Sequence, residues 1–205
     1  MKRQETKALV FDLGEVFIRL DFSEVMRLLS KTPVQSMSEW LKTMDQWKVY
    51  DQYERGRVDS EAFYKHVNER LPAPLSWEEF TKVWSTVLRE GVSEAEEILS
   101  SVKKSFSIFA LTNANALHYD EVMTRYPFMG HFRKVFSSHL LGCRKPELEI
   151  YRAVEKEIGF SSSEIFFVDD RPENVEGAKK AGWEAELIQR DPSNLKQVLN
   201  ARGFF

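Results

Sequence analysis

The sequence predicts an α/β fold around a mostly parallel sheet, interrupted by a helical segment after the first strand. Three observations carry this reading. Short, continuously apolar runs such as residues 8–11 (ALVF) suit strands buried on both faces. From residue 94 to the end such runs alternate with helical periodicity, the pattern of a parallel sheet with crossover helices. From about Asp21 to Glu90 there is no convincing strand, and helical spacing takes over. The expected architecture is a Rossmann-like three-layer sandwich. Residues 1–20 and 91–205 form its core domain, and residues 21–90 form a separate helical domain.

The elements follow in order. After ALVF, strands are expected at Phe106 to Leu111, at Glu164 to Val168 and, more weakly, at Glu184 to Ile188. Ala95, Ile98, Leu99 and Val102 recur with the i, i+3, i+4, i+7 spacing of one helical face. Ile150, Tyr151, Val154 and Ile158 do the same, and Gly159 follows as a C-cap. In the insert, Met37, Trp40, Leu41 and Met44 share a face, as do Phe63 and Val67, and Phe80, Val83, Trp84 and Val87. Ser36 with Glu39, and Ser76 with Glu79, have capping-box spacing. Pro33, Gly56, Pro72 and Pro74 punctuate the pieces. Trp40, Trp47, Trp77 and Trp84 are expected in the core of this helical unit, which would be thin alone.

Composition narrows the function. The 205 residues carry 29 Lys plus Arg against 32 Asp plus Glu, a net charge of −3, so there is no basic footprint for nucleic acid. Cys143 is the one cysteine, which excludes an intrachain disulfide or a cysteine-built zinc site. It reads as loop filling, although Arg144 and Lys145 beside it would favour a thiolate. His66, His118, His131 and His139 form no H-x-x-x-H pair. No run approaches the ~20 apolar residues of a membrane span. The polar start MKRQETK leads into too short an apolar run for a secretory signal, so the expected location is the cytoplasm.

Ligands of open parallel sheets bind beyond the carboxyl ends of the strands. The first apolar run ends in Asp12, the second in Thr112 and Asn113, and the run IFFV in Asp169 and Asp170. A loop between them carries Arg144, Lys145 and Pro146, the proline suiting the first turn of the next helix. Taken singly, each is commonplace. Asp12 could be a turn residue, Asp169-Asp170 a turn with an N-cap, Thr112-Asn113 a helix cap, and Lys145 a solvated lysine. Together they bring carboxylates, a hydroxyl, an amide and a lysine to one rim. Converging carboxylates call for a cation, and hard oxygen ligands without His or Cys select Mg²⁺. A carboxylate beside a metal-held phosphoryl group can attack it to give an acyl phosphate.

The order of these residues resembles the haloacid dehalogenase superfamily across the whole chain. The motifs read ALVFDLGEV, FALTNAN, LGCRKPELEIY and IFFVDDRPENVEGAKKAG, and the insert resembles the family's small helical cap. Within it, YERGRVDSEAF is similar to the caps of bacterial sugar-phosphate phosphatases. The resemblance implies Asp12 as nucleophile and Mg²⁺ ligand, and Thr112 and the Asn113 backbone as holders of phosphoryl oxygens. Lys145 would balance charge. Asp170 would bind Mg²⁺, with Asp169 and Asn174 in support. It implies a Mg²⁺-dependent phosphatase acting on a small phosphorylated metabolite, a sugar phosphate such as glucose 1-phosphate, with no nucleic-acid or membrane partner.

One position departs from the family pattern. Its phosphatases usually carry a second Asp two residues after the nucleophile, as proton donor and backbone metal ligand. Here Gly14 keeps the carbonyl and lacks the acid. Glu15 is adjacent but points elsewhere. Family members reading DLG are nonetheless regarded as phosphatases. Without the acid, glucose 1-phosphate should be cleaved better than glucose 6-phosphate, unless the cap supplies a donor of its own. Two rival readings remain: a non-catalytic phosphate- or sugar-binding relic, and a metal-independent 2-haloacid dehalogenase, against which the pair Asp169-Asp170 counts.

Overall fold

The structure is a computed structural model that describes residues 6–29, 48–71, 73–189 and 192–205. Its strands are β1 (Ala8–Phe11), β2 (Ile18–Leu20), β3 (Leu88–Gly91), β4 (Ser107–Thr112), β5 (Lys134–Ser137), β6 (Ile165–Asp169) and β7 (Glu184–Leu187). Five of them form one sheet in the order β5-β4-β1-β6-β7, and every pairing in it is parallel. β1 lies at the centre, with Phe11 opposite Ala110 on one side and Val168 on the other.

The helices are α1 (Ser23–Leu29), α2 (Val49–Glu54), α3 (Ser60–Asn68), α4 (Trp77–Ser85), α5 (Ala95–Val102), α6 (Ala116–Arg125), α7 (Ser138–Leu141), α8 (Leu148–Ile158), α9 (Pro172–Lys180) and α10 (Pro192–Ala201). Because strand side chains alternate, the sheet presents two apolar faces. Leu9, Phe11, Ile108, Ala110, Phe166 and Val168 pack with Ile98 and Leu99 of α5 and Leu195 and Leu199 of α10. Ala8, Val10, Phe109, Leu111, Ile165 and Phe167 pack with Ile150, Tyr151 and Val154 of α8 and Val175 of α9. Three layers result, as the sequence predicts. Gly159 ends α8 at φ 74°, the left-handed conformation expected of a C-cap.

The expectation of no strand between Asp21 and Glu90 is corrected. β3 begins at Leu88 and pairs antiparallel with β2, Leu20 opposite Leu88 and Ile18 opposite Gly91. The sequence LREG has one buried apolar residue and gains its order from a partner some 70 residues earlier, so periodicity could not reveal it. β5 also escapes periodicity, since KVFS has only two apolar residues, Val135 and Phe136. Pro146 precedes α8 rather than opening it: Glu147 is the N-cap.

Between β2 and β3 the described helices build a third apolar cluster from Val25, Tyr50, Tyr53, Phe63, Val67, Phe80, Trp84 and Val87. Aromatic stacking thickens it: Tyr53 lies on Phe63 at 4.3 Å and Phe80 on Trp84 at 5.6 Å. The Ser76–Glu79 capping box forms at the start of α4. Trp84 is buried as expected, whereas Trp77 is 43% exposed, on the outer edge of the cluster. The Met37–Met44 face, the Ser36–Glu39 box, Trp47, Pro33 and Pro72 lie outside the described residues.

The chain's last aromatics have a place. Phe204 packs edge-on against Phe106 and Phe166, at 5.1 and 5.0 Å. Among the described residues no helix is long and apolar enough to cross a membrane.

Candidate active site

Parallel pairing in register sets the carboxyl ends of β1, β4 and β6 side by side, and their last residues carry the polar groups. Thr112 closes β4, Asp169 closes β6, and Asp12 follows β1 directly. Lys145 reaches in from the loop before α8. Its Nζ donates to Asp12 Oδ1 at 2.9 Å, Asp169 Oδ2 at 2.6 Å and the Leu111 carbonyl at 2.9 Å. At 1% exposure it is no surface lysine. Three acceptors match its three N–H donors, so one ammonium ties all three strand ends together.

Asparagines fix this arrangement. The Asn113 side chain accepts from the Lys145 N–H at 2.9 Å and donates to its carbonyl at 3.0 Å, locking the lysine's backbone to the end of β4. Helix α6 is capped instead by Asn115, which frees Thr112 and Asn113 from that task. Asn174 donates to both Asp169 oxygens, at 3.0 and 3.1 Å, and Tyr151 holds the Asn174 carbonyl at 2.7 Å. The Arg171 N–H also donates to Asp169 Oδ1. Asp169 is therefore an orienting group, saturated by its neighbours.

Burial dominates the electrostatics. It pushes the Asp12 carboxyl from 3.8 up to about 7; Lys145 pulls it down, and Asp169 and Asp170 push it further up. Burial would lower the Lys145 ammonium, but the Asp12 and Asp169 carboxylates outweigh it and hold it above its ordinary value. Asp12, Asp169 and Asp170 each place an oxygen within 4.8 Å of the others. Three carboxylates against one ammonium leave two negative charges to balance. An all-oxygen set with that surplus fits a hard divalent cation.

Asp12, Lys145 and Asp170 line a cavity of about 590 Å³ with Gly14, Glu15, Tyr50, Glu54, His118, Arg144 and Arg171, and Asp169 lies buried behind them. Gly14 does not hold a positive φ; the left-handed residue is Glu15, at φ 58°. Glu15 accepts from the Leu20 N–H at 3.2 Å and lies 3.7 Å from Arg19. The sequence reading gave no role to Tyr50, Glu54 or His118, although Glu54 lies in the segment YERGRVDSEAF. Tyr50 and Glu54 share a helix turn that only tertiary packing brings over the sheet, and no spacing signals it. Cys143 does not become a favoured thiolate: burial and then Glu147 and Glu149 push its pKa up.

Comparison with known proteins agrees with this geometry. A sequence model of haloacid dehalogenase-like hydrolases matches residues 6–182, and the chain belongs to that family. Within it, the chain is similar to a D-ribitol-5-phosphate phosphatase of Bacteroides thetaiotaomicron, 24% identical over 184 residues, which span 87% of this chain and 89% of that one. It is also similar to a sesquiterpene phosphatase of Aspergillus oryzae, 28% identical over 180 residues and 86% of each chain. Among solved structures, a family enzyme of Bacteroides thetaiotaomicron in complex with magnesium and inorganic phosphate superposes at TM-score 0.80 with 25% identity, covering 93% of this chain and 98% of that one.

Proposed function

We propose that the protein is a Mg²⁺-dependent phosphatase that hydrolyses a small phosphate monoester through an aspartyl-phosphate on Asp12. The observation that carries this is the buried Asp12–Lys145–Asp169 array, with Asp170 beside it, at the mouth of a cavity large enough for a small organic phosphate. Residues 21–90 act as the cap domain over the core formed by residues 1–20 and 91–205. Asp12 attacks phosphorus, Thr112 and the Asn113 backbone hold phosphoryl oxygens, and Lys145 offsets the charge of nucleophile and phosphate. Asp12, Asp170 and the Gly14 carbonyl would hold Mg²⁺, with Asp169 and Asn174 supporting them. The ion would screen the repulsion between carboxylate and phosphoryl oxygens. Sugar or polyol phosphates, glucose 1-phosphate among them, are the favoured substrate class. The D-ribitol-5-phosphate phosphatase relative supports it, and the cavity sets hydrogen-bonding groups among apolar residues such as Ile18, Leu20 and Phe22.

The test is hydrolysis of p-nitrophenyl phosphate. Chelation by EDTA should abolish it and Mg²⁺ restore it. Asp12→Asn should reduce it to background while circular dichroism stays unchanged. Full turnover in chelator, or in Asp12→Asn, would overturn the mechanism.

A further inference from the structure

Gly14 leaves the proposed reaction without its usual proton donor. An alkoxide leaving group needs a proton, and a positioned acid typically contributes ~10²–10⁴-fold. Among the groups lining the cavity, most that could supply one are already committed. Asp12 and Asp170 belong to the nucleophile and metal set, and Lys145 spends its donors on three acceptors. Glu15 is turned to the Leu20 N–H and Arg19. His118 is held through Nε2 by the Trp84 carbonyl and through Nδ1 by the Asn115 side chain.

Glu54 remains. It closes α2, is 6% exposed and faces the same cavity as Asp12. Its Oε1 accepts from the Tyr50 hydroxyl at 2.9 Å. Its Oε2 lies 2.9 Å from Arg144 Nη1, yet no hydrogen bond is aligned on that oxygen. A carboxyl proton there displaces no aligned donor, but it faces the Arg144 charge on an oxygen closed to solvent, so the side chain must turn toward the cavity to deliver it. Resting on the phosphatase reading above, we propose that Glu54 is the missing acid and base, supplied by the cap in place of a side chain at position 14.

Burial raises the Glu54 carboxyl above its ordinary range, against the pull of Arg144, Tyr50 and Arg171 and with the push of Asp51. In the first step an Asp12 oxygen bonds to phosphorus, the bond from phosphorus to the leaving oxygen breaks, and that oxygen takes the Glu54 proton. Arg144 then stabilises the carboxylate left behind. In the second step Glu54 takes a proton from water as the water oxygen attacks phosphorus. Phosphate leaves, and Asp12 and Glu54 return to their starting forms.

The experiment compares kcat/KM on benzyl phosphate and p-nitrophenyl phosphate, which are similar in size but differ in their need for a proton. Glu54→Gln should lose ~10²-fold or more on benzyl phosphate, and at least ~10-fold less than that on p-nitrophenyl phosphate. Adding Gly14→Asp to Glu54→Gln should restore the benzyl rate. The new Cβ comes closest to Leu20 Cδ1, at 2.9 Å, the movable end of a side chain. Equal losses on both substrates, or no loss, would overturn the assignment. Should Glu54→Gln not fold, Gly14→Asp alone decides. With a donor already in place, it gains little on benzyl phosphate relative to p-nitrophenyl phosphate. A gain of ~10²-fold would mean the wild type has none. A wild type inert on both substrates with Mg²⁺ would remove the phosphatase reading itself, and the role of Glu54 with it.

Discussion

Asp12 is the proposed nucleophile, and its environment has two measurable consequences. Its carboxyl is raised to about 7 in the fold, against 3.8 when unperturbed. A raised carboxyl contributes stability that is complete below the unfolded value and is lost as pH rises through the folded one. Without metal, this group therefore destabilises the fold progressively up to about pH 7. As a proposed Mg²⁺ ligand Asp12 would have to lose the same proton, so the affinity for the ion should weaken about tenfold per pH unit below that value. Thermal denaturation with and without Mg²⁺ should show a larger stabilisation by the ion on the alkaline side than on the acid side. Lys145 supplies the second consequence. Removing its charge leaves Asp12 and Asp169 buried without their partner. Lys145→Met should cost ~3–5 kcal/mol in urea denaturation, with part recovered by Mg²⁺. Asp12 and Asp169 were legible in the sequence because strand ends in a parallel sheet are where polar residues gather, and Lys145 through the order of the motifs around it. Glu54 was not legible, because nothing in local spacing says which residue of an insert faces the core.

The connection between α2 and the lysine loop operates at the scale of elements. Arg55 donates to both Glu147 oxygens, at 2.8 and 2.5 Å, and to Asp51 at 2.8 Å. Arg144, next to Lys145, meets Asp51 and Glu54. Gly56 comes so near the His139 carbonyl that a Cβ would lie 2.1 Å from its oxygen. Close approach and a bidentate pair hold the insert against the loop that delivers Lys145. Arg55→Ala should release that contact. Hydrogen exchange should rise across Val49–Gly56 and stay unchanged in β1, β4 and β6; uniform exchange in both regions would contradict the role. The pairing of β2 with β3 belongs to this scale too. It stands where the insert leaves and rejoins the sheet, and its weak local signal is the reason the sequence placed no strand there.

Across the whole molecule, two apolar layers enclose one sheet, and the chain's end completes one of them. Phe204 lies on Phe106 and Phe166, which precede and occupy strands far away in sequence. Phe204→Ala should lower stability by about 1–2 kcal/mol, a half-buried aromatic losing packing and two edge contacts. Urea denaturation reads it directly, and an unchanged midpoint would show that the terminus packs to no effect.

The amino-acid sequence by itself determined the parallel sheet, the order of the candidate-site motifs and the place of the helical insert. Apolar runs, helical periodicity and strand-end polar residues are local patterns, and local patterns survive in one dimension. Only the tertiary structure decided the rest. It turned Lys145 inward to three acceptors, made Asn113 a clasp for the lysine's backbone, and left Trp77 half out of its cluster. It also brought Tyr50 and Glu54 into the lining of the cavity that Asp12 faces. Each of these depends on contacts between segments tens of residues apart, and burial, which raises the Asp12 and Glu54 carboxyls above their ordinary range, exists only once those segments have met.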